Sequence, residues 1–167
     1  KAEQTTYDFT KFLKSNNELW VVNTTEPGDD ICKRDFVSAV DKNNVSLQRY
    51  FQKDGATKQE SLEGILTHWD EEEALDYYDT MEIYNISGHL VRYEIVDFLD
   101  RSSKCAVVKV MKALILNHKT DIWREVRVNN DTMQFPLPSE CTNYFEEAVK
   151  ITHKTWRQPY QSSCREQ

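Results

Sequence analysis

Hydrophobic and polar positions alternate with a period of two over most of the chain, in runs separated by polar turns. Residues 19–25, 36–40, 47–52, 62–69, 79–84, 90–99, 105–114 and 121–128 are rich in β-branched and aromatic side chains and read as eight strands. Turn signals stand between several of them, at Asp54-Gly55, Ser87-Gly88 and Asn129-Asn130-Asp131. Two segments change period. Residues 5–15 place Phe9, Phe12 and Leu13 at helical spacing, and residues 138–152 bring Tyr144, Phe145, Ala148 and Val149 onto one helical face behind Pro138 and Ser139. Strands in sequence-adjacent order followed by a helix suggest a mainly β fold, an up-and-down antiparallel barrel with the helix packed outside, because closure removes exposed edges. A β-sandwich is the alternative topology, and the turn spacing fits a meander at least as well. The interior of an eight-stranded barrel holds about one small ligand.

The chain has 167 residues, enough for one domain over 1–167, with no linker or internal repeat. A net charge of −7 lacks the basic footprint of a nucleic-acid binder. The longest apolar run, residues 106–116, is broken by Lys109 and Lys112, so no membrane insertion is expected. The polar start at Lys1 reads as a processed, mature chain. Cys32, Cys105, Cys141 and Cys164 form no CxxC pair and read as two disulfides rather than a metal site. Sequons at Asn23, Asn44, Asn85 and Asn130 add to the expectation of a secreted glycoprotein.

Catalytic chemistry is not in view. No G-x-S-x-G, P-loop, G-x-G-x-x-G or H-E-x-x-H pattern occurs, and the four histidines are scattered without metal spacing. The reading is a binding protein without enzyme activity, cofactor or metal. The acidic run 70–76 reads as a solvated loop. That run and the segment 129–138, which holds Met133, Phe135 and Leu137, are the candidate surfaces for a host protein or immune-cell receptor.

Cys105-Ala106-Val107, then Asp121-Ile122-Trp123, then Cys141 resembles the pattern of the tick salivary lipocalins, the histamine-binding family. That pattern runs Cys-Asp-aliphatic, Glu-Leu-aromatic, Cys. The intervals here, 13 residues from Val107 to Asp121 and 17 from Trp123 to Cys141, are typical of it. The segment 138–149, the terminal run 162–167 and Val91-Arg92-Tyr93-Glu94 are also similar to the family. Departures are Ala106 for Asp, Asp121-Ile122 for Glu-Leu, and Glu18 where lipocalins carry the glycine of Gly-X-Trp. The resemblance implies a lipocalin-type barrel, secreted in saliva and expected as a monomer, that sequesters a small host mediator and suppresses inflammation. It implies the pairs Cys32–Cys164 and Cys105–Cys141. The ligands it implies range over histamine or serotonin, leukotrienes, fatty acids and sterols such as cholesterol, and some members bind complement proteins.

Strand phase proposes the binding residues. A glycan on Asn23 would face outward, which puts Leu19 and Val21 outside and Trp20, Val22, Thr24 and Glu26 inside. The family places the tyrosine matched by Tyr93 inside, and with it Val91, Ile95 and Asp97; Arg92, Glu94, Val96 and Phe98 then face out. The family's last strand puts Asp121, Trp123, Glu125 and Arg127 inside, leaving Ile122, Val126 and Val128 beneath the C-terminal helix; a solvated outer face is the other reading of those charges. Inward Asp97 and Asp121 with Trp20, Tyr93 and Trp123 favour a protonated amine, through charge and cation–π contact. An inward Arg127 or Arg92 over apolar walls favours a lipid acid. The expected ligand-binding set is therefore Trp20, Glu26, Tyr93, Asp97, Asp121, Trp123 and Arg127.

Overall fold

The computed structural model describes residues 7–70, 77–113, 121–134, 136–137 and 139–166. The alternating runs form eight antiparallel strands: β1 (Glu18–Thr24), β2 (Ile31–Asp41), β3 (Asn44–Lys53), β4 (Ala56–Thr67), β5 (Thr80–Tyr84), β6 (Leu90–Leu99), β7 (Cys105–Lys112) and β8 (Ile122–Asn129). Each pairs with its sequence neighbour, and β8 returns to β1, so the sheet closes as a barrel. The sandwich alternative falls away with that closing pair.

Helix α1 (Phe9–Ser15) starts one residue after Asp8, whose carboxylate accepts from the Lys11 amide at 3.1 Å as an N-cap. Of the region 5–15 expected as helix, residues 5 and 6 lie outside the described chain, and Tyr7 and Asp8 precede the helix. α1 closes one end of the barrel. Phe9, Phe12 and Leu13 are buried among the inner residues Leu19, Val37, Leu66 and Met81. Asn16, also buried, donates to the carbonyls of Phe12 (2.7 Å) and Ser103 (2.6 Å) and accepts from Asn129 (2.6 Å), tying α1 to that end. The opposite rim carries the β1–β2, β3–β4 and β5–β6 connections.

A second core lies outside the sheet. Val107 of β7 and Val126 and Val128 of β8 pack with Cys141 and Phe145 of α2 (Ser139–Thr152). The outward valines of the last strand thus lie beneath the C-terminal helix, as the family resemblance implied and against their bare alternation, which would have turned them inward. Cys105–Cys141 fastens α2 to β7, and Cys32–Cys164 fastens the C-terminal tail to β2. These are the two pairs that the family resemblance implied. Thr24 and Arg157 also exchange backbone hydrogen bonds of 3.0 and 2.9 Å, so the tail runs along β1.

Several expected elements differ in extent or kind, and β3 begins at Asn44 rather than 47. β2 begins at Ile31 rather than 36, because a left-handed backbone at Cys32 (φ 54°) and a register shift before Arg34 break its alternation. β4 begins at Ala56 rather than 62; its first half is polar on both faces and is recruited by the Asp54–Gly55 turn, where both residues have positive φ (53° and 76°) and fold the β3–β4 hairpin. Asn130 to Gln134 form a 3-10 helix rather than a reversing turn. Residues 71–76 of the acidic run, Leu114 of the expected seventh strand, and Phe135 and Pro138 lie outside the described residues.

Candidate ligand-binding site

Cross-strand partners share a face of the sheet, so the register identifies the barrel lining. Leu47, Leu62, Met81, Ile83, Val96, Val108 and Val110 line it as an apolar wall. On the same face stand Asp35, Arg49, Glu94, Glu125 and Arg127, all buried. The Arg49 guanidinium donates twice to Asp35, at 2.8 and 3.0 Å, and once to Glu94, at 2.9 Å. Arg127 donates to the other Glu94 oxygen at 2.7 Å and to Glu125 at 2.8 and 3.1 Å. The Lys33 ammonium caps Glu125 at 2.7 Å. The result is an alternating chain of charges, Asp35–Arg49–Glu94–Arg127–Glu125–Lys33, running through the interior. Glu26 (3.7 Å from Lys33) and Arg157 (3.8 Å from Glu26) carry it to the rim.

Three buried carboxylates against three cations leave the interior close to neutral, which is the condition for burying charge at all. Burial alone would push the Glu94 carboxyl up, yet Arg127 and Arg49 hold it at about 2. Burial acts on Glu125 in the same direction, and Lys33, Arg127 and Arg49 outweigh it, keeping that carboxyl far below the usual range. Burial would lower Arg49 and Arg127, but the facing carboxylates raise both. Glu94, Glu125, Arg49 and Arg127 are therefore ionised at neutral pH.

At the rim end of this chain Glu125, Glu26 and Trp123 surround a positive group, the Lys33 ammonium. Trp123, buried on β8, donates its indole N–H to Glu125 at 3.1 Å, and its ring lies 6.0 Å from the Lys33 ammonium. Glu26 stands at the rim with its side chain 23% exposed. Asp121 stands immediately before β8, with the Lys112 ammonium at 3.6 Å. Arg92, also inward by register, approaches Glu60 at 3.7 Å through one nitrogen, while its buried Nη1 has no hydrogen-bond partner.

Of the expected ligand set, Trp123, Arg127, Glu26 and Asp121 are thus placed in the interior or at its rim. Trp20, Tyr93 and Asp97 are not. Trp20 packs outside the sheet, its ring 5.2 Å from Tyr160 and 5.3 Å from the Arg34 guanidinium, and donates to Asn130 at 2.8 Å. The cause is a β-bulge between Val21 and Asn23. Asn23 does face out, but the bulge reverses the phase before it, so Leu19 and Val21 point in and Trp20 and Val22 point out. Thr24, beyond the bulge, pairs with Glu125 and is inward as expected.

In β6 the phase is reversed from the family's placement. Glu94 reaches the buried arginines, so Arg92, Glu94 and Val96 face in, whereas Tyr93 and Ile95 face out. Tyr93 meets Trp69 edge-on at 5.9 Å. Asp97 sits in a second bulge and accepts from Arg124 at 2.6 Å on the outer surface near α2. Phe98 stacks on Tyr144 of α2 and is outward, as expected. The residues that strand phase missed are Asp35, Arg49 and Lys33. A signal for Arg49 was available: it follows Val45 and Leu47 at the same period-two phase, a charge on an apolar face.

The four sequon asparagines differ in setting. Asn44 is exposed in the β2–β3 hairpin. Asn85 caps its own turn through the amides of Ser87 and His89, Asn130 accepts from Trp20, and Asn23 is buried at 4% exposure. Among the described residues no cluster of histidine, cysteine and carboxylate could hold a metal ion, and no helix is long and apolar enough to cross a membrane.

Comparison with known proteins agrees with this architecture. Among solved structures the chain is similar to a siderocalin, Ex-FABP, described as working through dual ligand specificities (TM-score 0.58, 9% identity, 84% of this chain and 87% of that one). It is similar to Japanin from Rhipicephalus appendiculatus, solved bound to cholesterol (TM-score 0.53, 7% identity, 89% and 95%). A dog lipocalin allergen gives a TM-score of 0.55 at 9% identity over 86% of this chain and 91% of that one. At such identities the likeness speaks for the lipocalin fold. A search of curated proteins finds no match. A family model described as tick histamine binding protein matches residues 1–166, so the chain belongs to the tick histamine-binding protein family.

Proposed function

We propose that the protein is a secreted salivary lipocalin that sequesters a small host mediator in its barrel, and that the mediator is a biogenic amine such as histamine or serotonin. The observation carrying this reading is the rim pocket of Glu125, Glu26 and Trp123, which already surrounds an ammonium group. Two carboxylates and an aromatic face suit a protonated amine: ion pairing fixes its nitrogen, and cation–π contact contributes about 0.5–2 kcal/mol. Binding of this kind acts by stoichiometry and needs no turnover, in keeping with a family of binding proteins. The two disulfides suit an oxidising, extracellular setting, and Asn44 is the sequon best placed to carry a glycan. Calorimetric titration of the delipidated protein with histamine and then serotonin tests the reading. Saturable sub-micromolar binding is expected, and absence of heat with either amine overturns it.

A second reading rests on Arg92. Its buried, unpartnered Nη1 on the lining near the rim suits a carboxylate, as borne by a fatty acid or leukotriene. Organic extraction of the purified protein followed by mass spectrometry distinguishes this ligand class from the first.

A further inference from the structure

The ammonium pocket at the rim is filled by the chain itself. Lys33 leaves β2 just after the left-handed Cys32, within the stretch where the β2–β3 register shifts. That irregularity turns its side chain inward, where it is only 11% exposed. Its nitrogen lies 2.7 Å from a Glu125 oxygen and 6.0 Å from the Trp123 ring centre, the contacts a bound amine would make. A partly exposed carboxylate, Glu26, stands 3.7 Å away on the solvent side. Glu26 is itself steadied by the Arg157 guanidinium at 3.8 Å, whose Nε also donates to the Glu26 carbonyl at 2.9 Å.

We infer that Lys33 is a tethered competitor for the amine subsite: it occupies Glu125 and Trp123 in the free protein and swings to Glu26 when an external amine takes its place. The inference rests on the amine reading above and adds the residue that sets its selectivity. The exchange conserves charge, since one ammonium replaces another at Glu125 and the displaced one keeps a carboxylate partner at the rim. Neutral and anionic ligands are disfavoured at Glu125, because displacing Lys33 would leave its buried charge with Arg127 as its one remaining ion-pair partner among the described residues. Amine affinity is lowered by the fraction of molecules in which Lys33 holds the site, as for any ligand whose competent state is partly populated.

The test compares wild type with Lys33→Met, which keeps all but the terminal atom of the unbranched side chain and removes its charge, in titrations with histamine and with n-butylammonium. The variant is expected to bind both at least tenfold more tightly than wild type. Equal or weaker binding by a folded variant overturns the inference, and leaves the amine reading standing if wild type binds histamine. Butylammonium binding by the variant alone, with no histamine binding by either protein, supports the occupied subsite while the histamine reading fails. No amine binding by either protein overturns both. If Lys33→Met does not fold, nitrogen-15 NMR of the lysine ammonium groups in wild type decides. Histamine should move the Lys33 resonance and speed its exchange with water; histamine binding with that resonance unmoved, or no histamine binding at all, overturns the inference.

Discussion

Arg127 and Glu94 meet at 2.7 Å in the middle of the barrel, with side chains 1% and 0% exposed. They come from β8 and β6, which flank β7 and are not hydrogen-bonded to each other, so the pair bridges across a strand on the inner face. Each shares its second partner with the rest of the chain of charges, Glu94 with Arg49 and Arg127 with Glu125. Removing one link therefore leaves buried charge on both sides of the gap.

Arg127→Met is expected to destabilise the fold by about 3–5 kcal/mol, because two buried carboxylates lose a shared partner and no water replaces it. Urea unfolding at pH 7 measures this. A change below about 1 kcal/mol would mean that the interior is far wetter than the observed burial.

Acid should weaken the fold through Glu94. Its folded carboxyl is held at about 2 against an ordinary 4.5, so the contribution is fully present above the ordinary value and is lost as pH falls toward 2. The loss over that window is about 3 kcal/mol from this group. Unfolding free energies measured in urea between pH 6 and pH 2 should fall steeply for wild type and more gently for Glu94→Gln. Identical slopes would contradict the placement of the pair.

The two inner-face and outer-face tryptophans of the expected set should part company on ligand binding. Trp123 touches the amine pocket, whereas Trp20 packs outside against Tyr160 and Arg34. A saturating amine should change the fluorescence of wild type and of Trp20→Phe alike, and lose most of that change in Trp123→Phe. Retention of the signal by Trp123→Phe and its loss in Trp20→Phe would place the ligand outside the barrel.

The disulfides bridge sequence separations of 132 and 36 residues. In the chain-entropy model these loops are worth about 5 and about 4 kcal/mol. Cys105→Ser with Cys141→Ser is expected to lower the melting temperature and to raise amide exchange across α2, which loses its covalent tie to β7. Exchange confined to the barrel would show that Phe145 and its valine bed hold the helix without the bridge.

Much of the fold was legible in the chain. Eight period-two runs, turn dipeptides and two changes of period name the elements, because side-chain alternation and helical spacing are local properties of sequence. The inner face of β8 came from the family resemblance: alternation alone would have turned Val126 and Val128 inward, whereas they lie outside under Cys141 and Phe145 of α2. The inner faces of β1 and β6 were not legible. A single bulged residue at Val21–Asn23 reverses every side chain on one side of it, and nothing in Leu-Trp-Val-Val-Asn marks which residue bulges. In β6 both phases carry apolar and charged residues, so alternation alone selects neither.

By itself, then, the sequence determined that this chain is a meander of strands with capping helices, and that its family is one of barrel-forming binders. Only the tertiary structure decided what fills the barrel. Asp35, Arg49 and Glu94 look like ordinary polar positions of three separate strands until closure aims them at one another. Lys33 looks like one more surface lysine until an irregular turn of backbone sends it to Glu125 and Trp123. The physical reason is that charge burial is a property of a pair, not of a residue. A lone buried ion is too costly to keep, and the partner that makes it affordable lies far away in sequence, at a distance set by barrel closure and strand register.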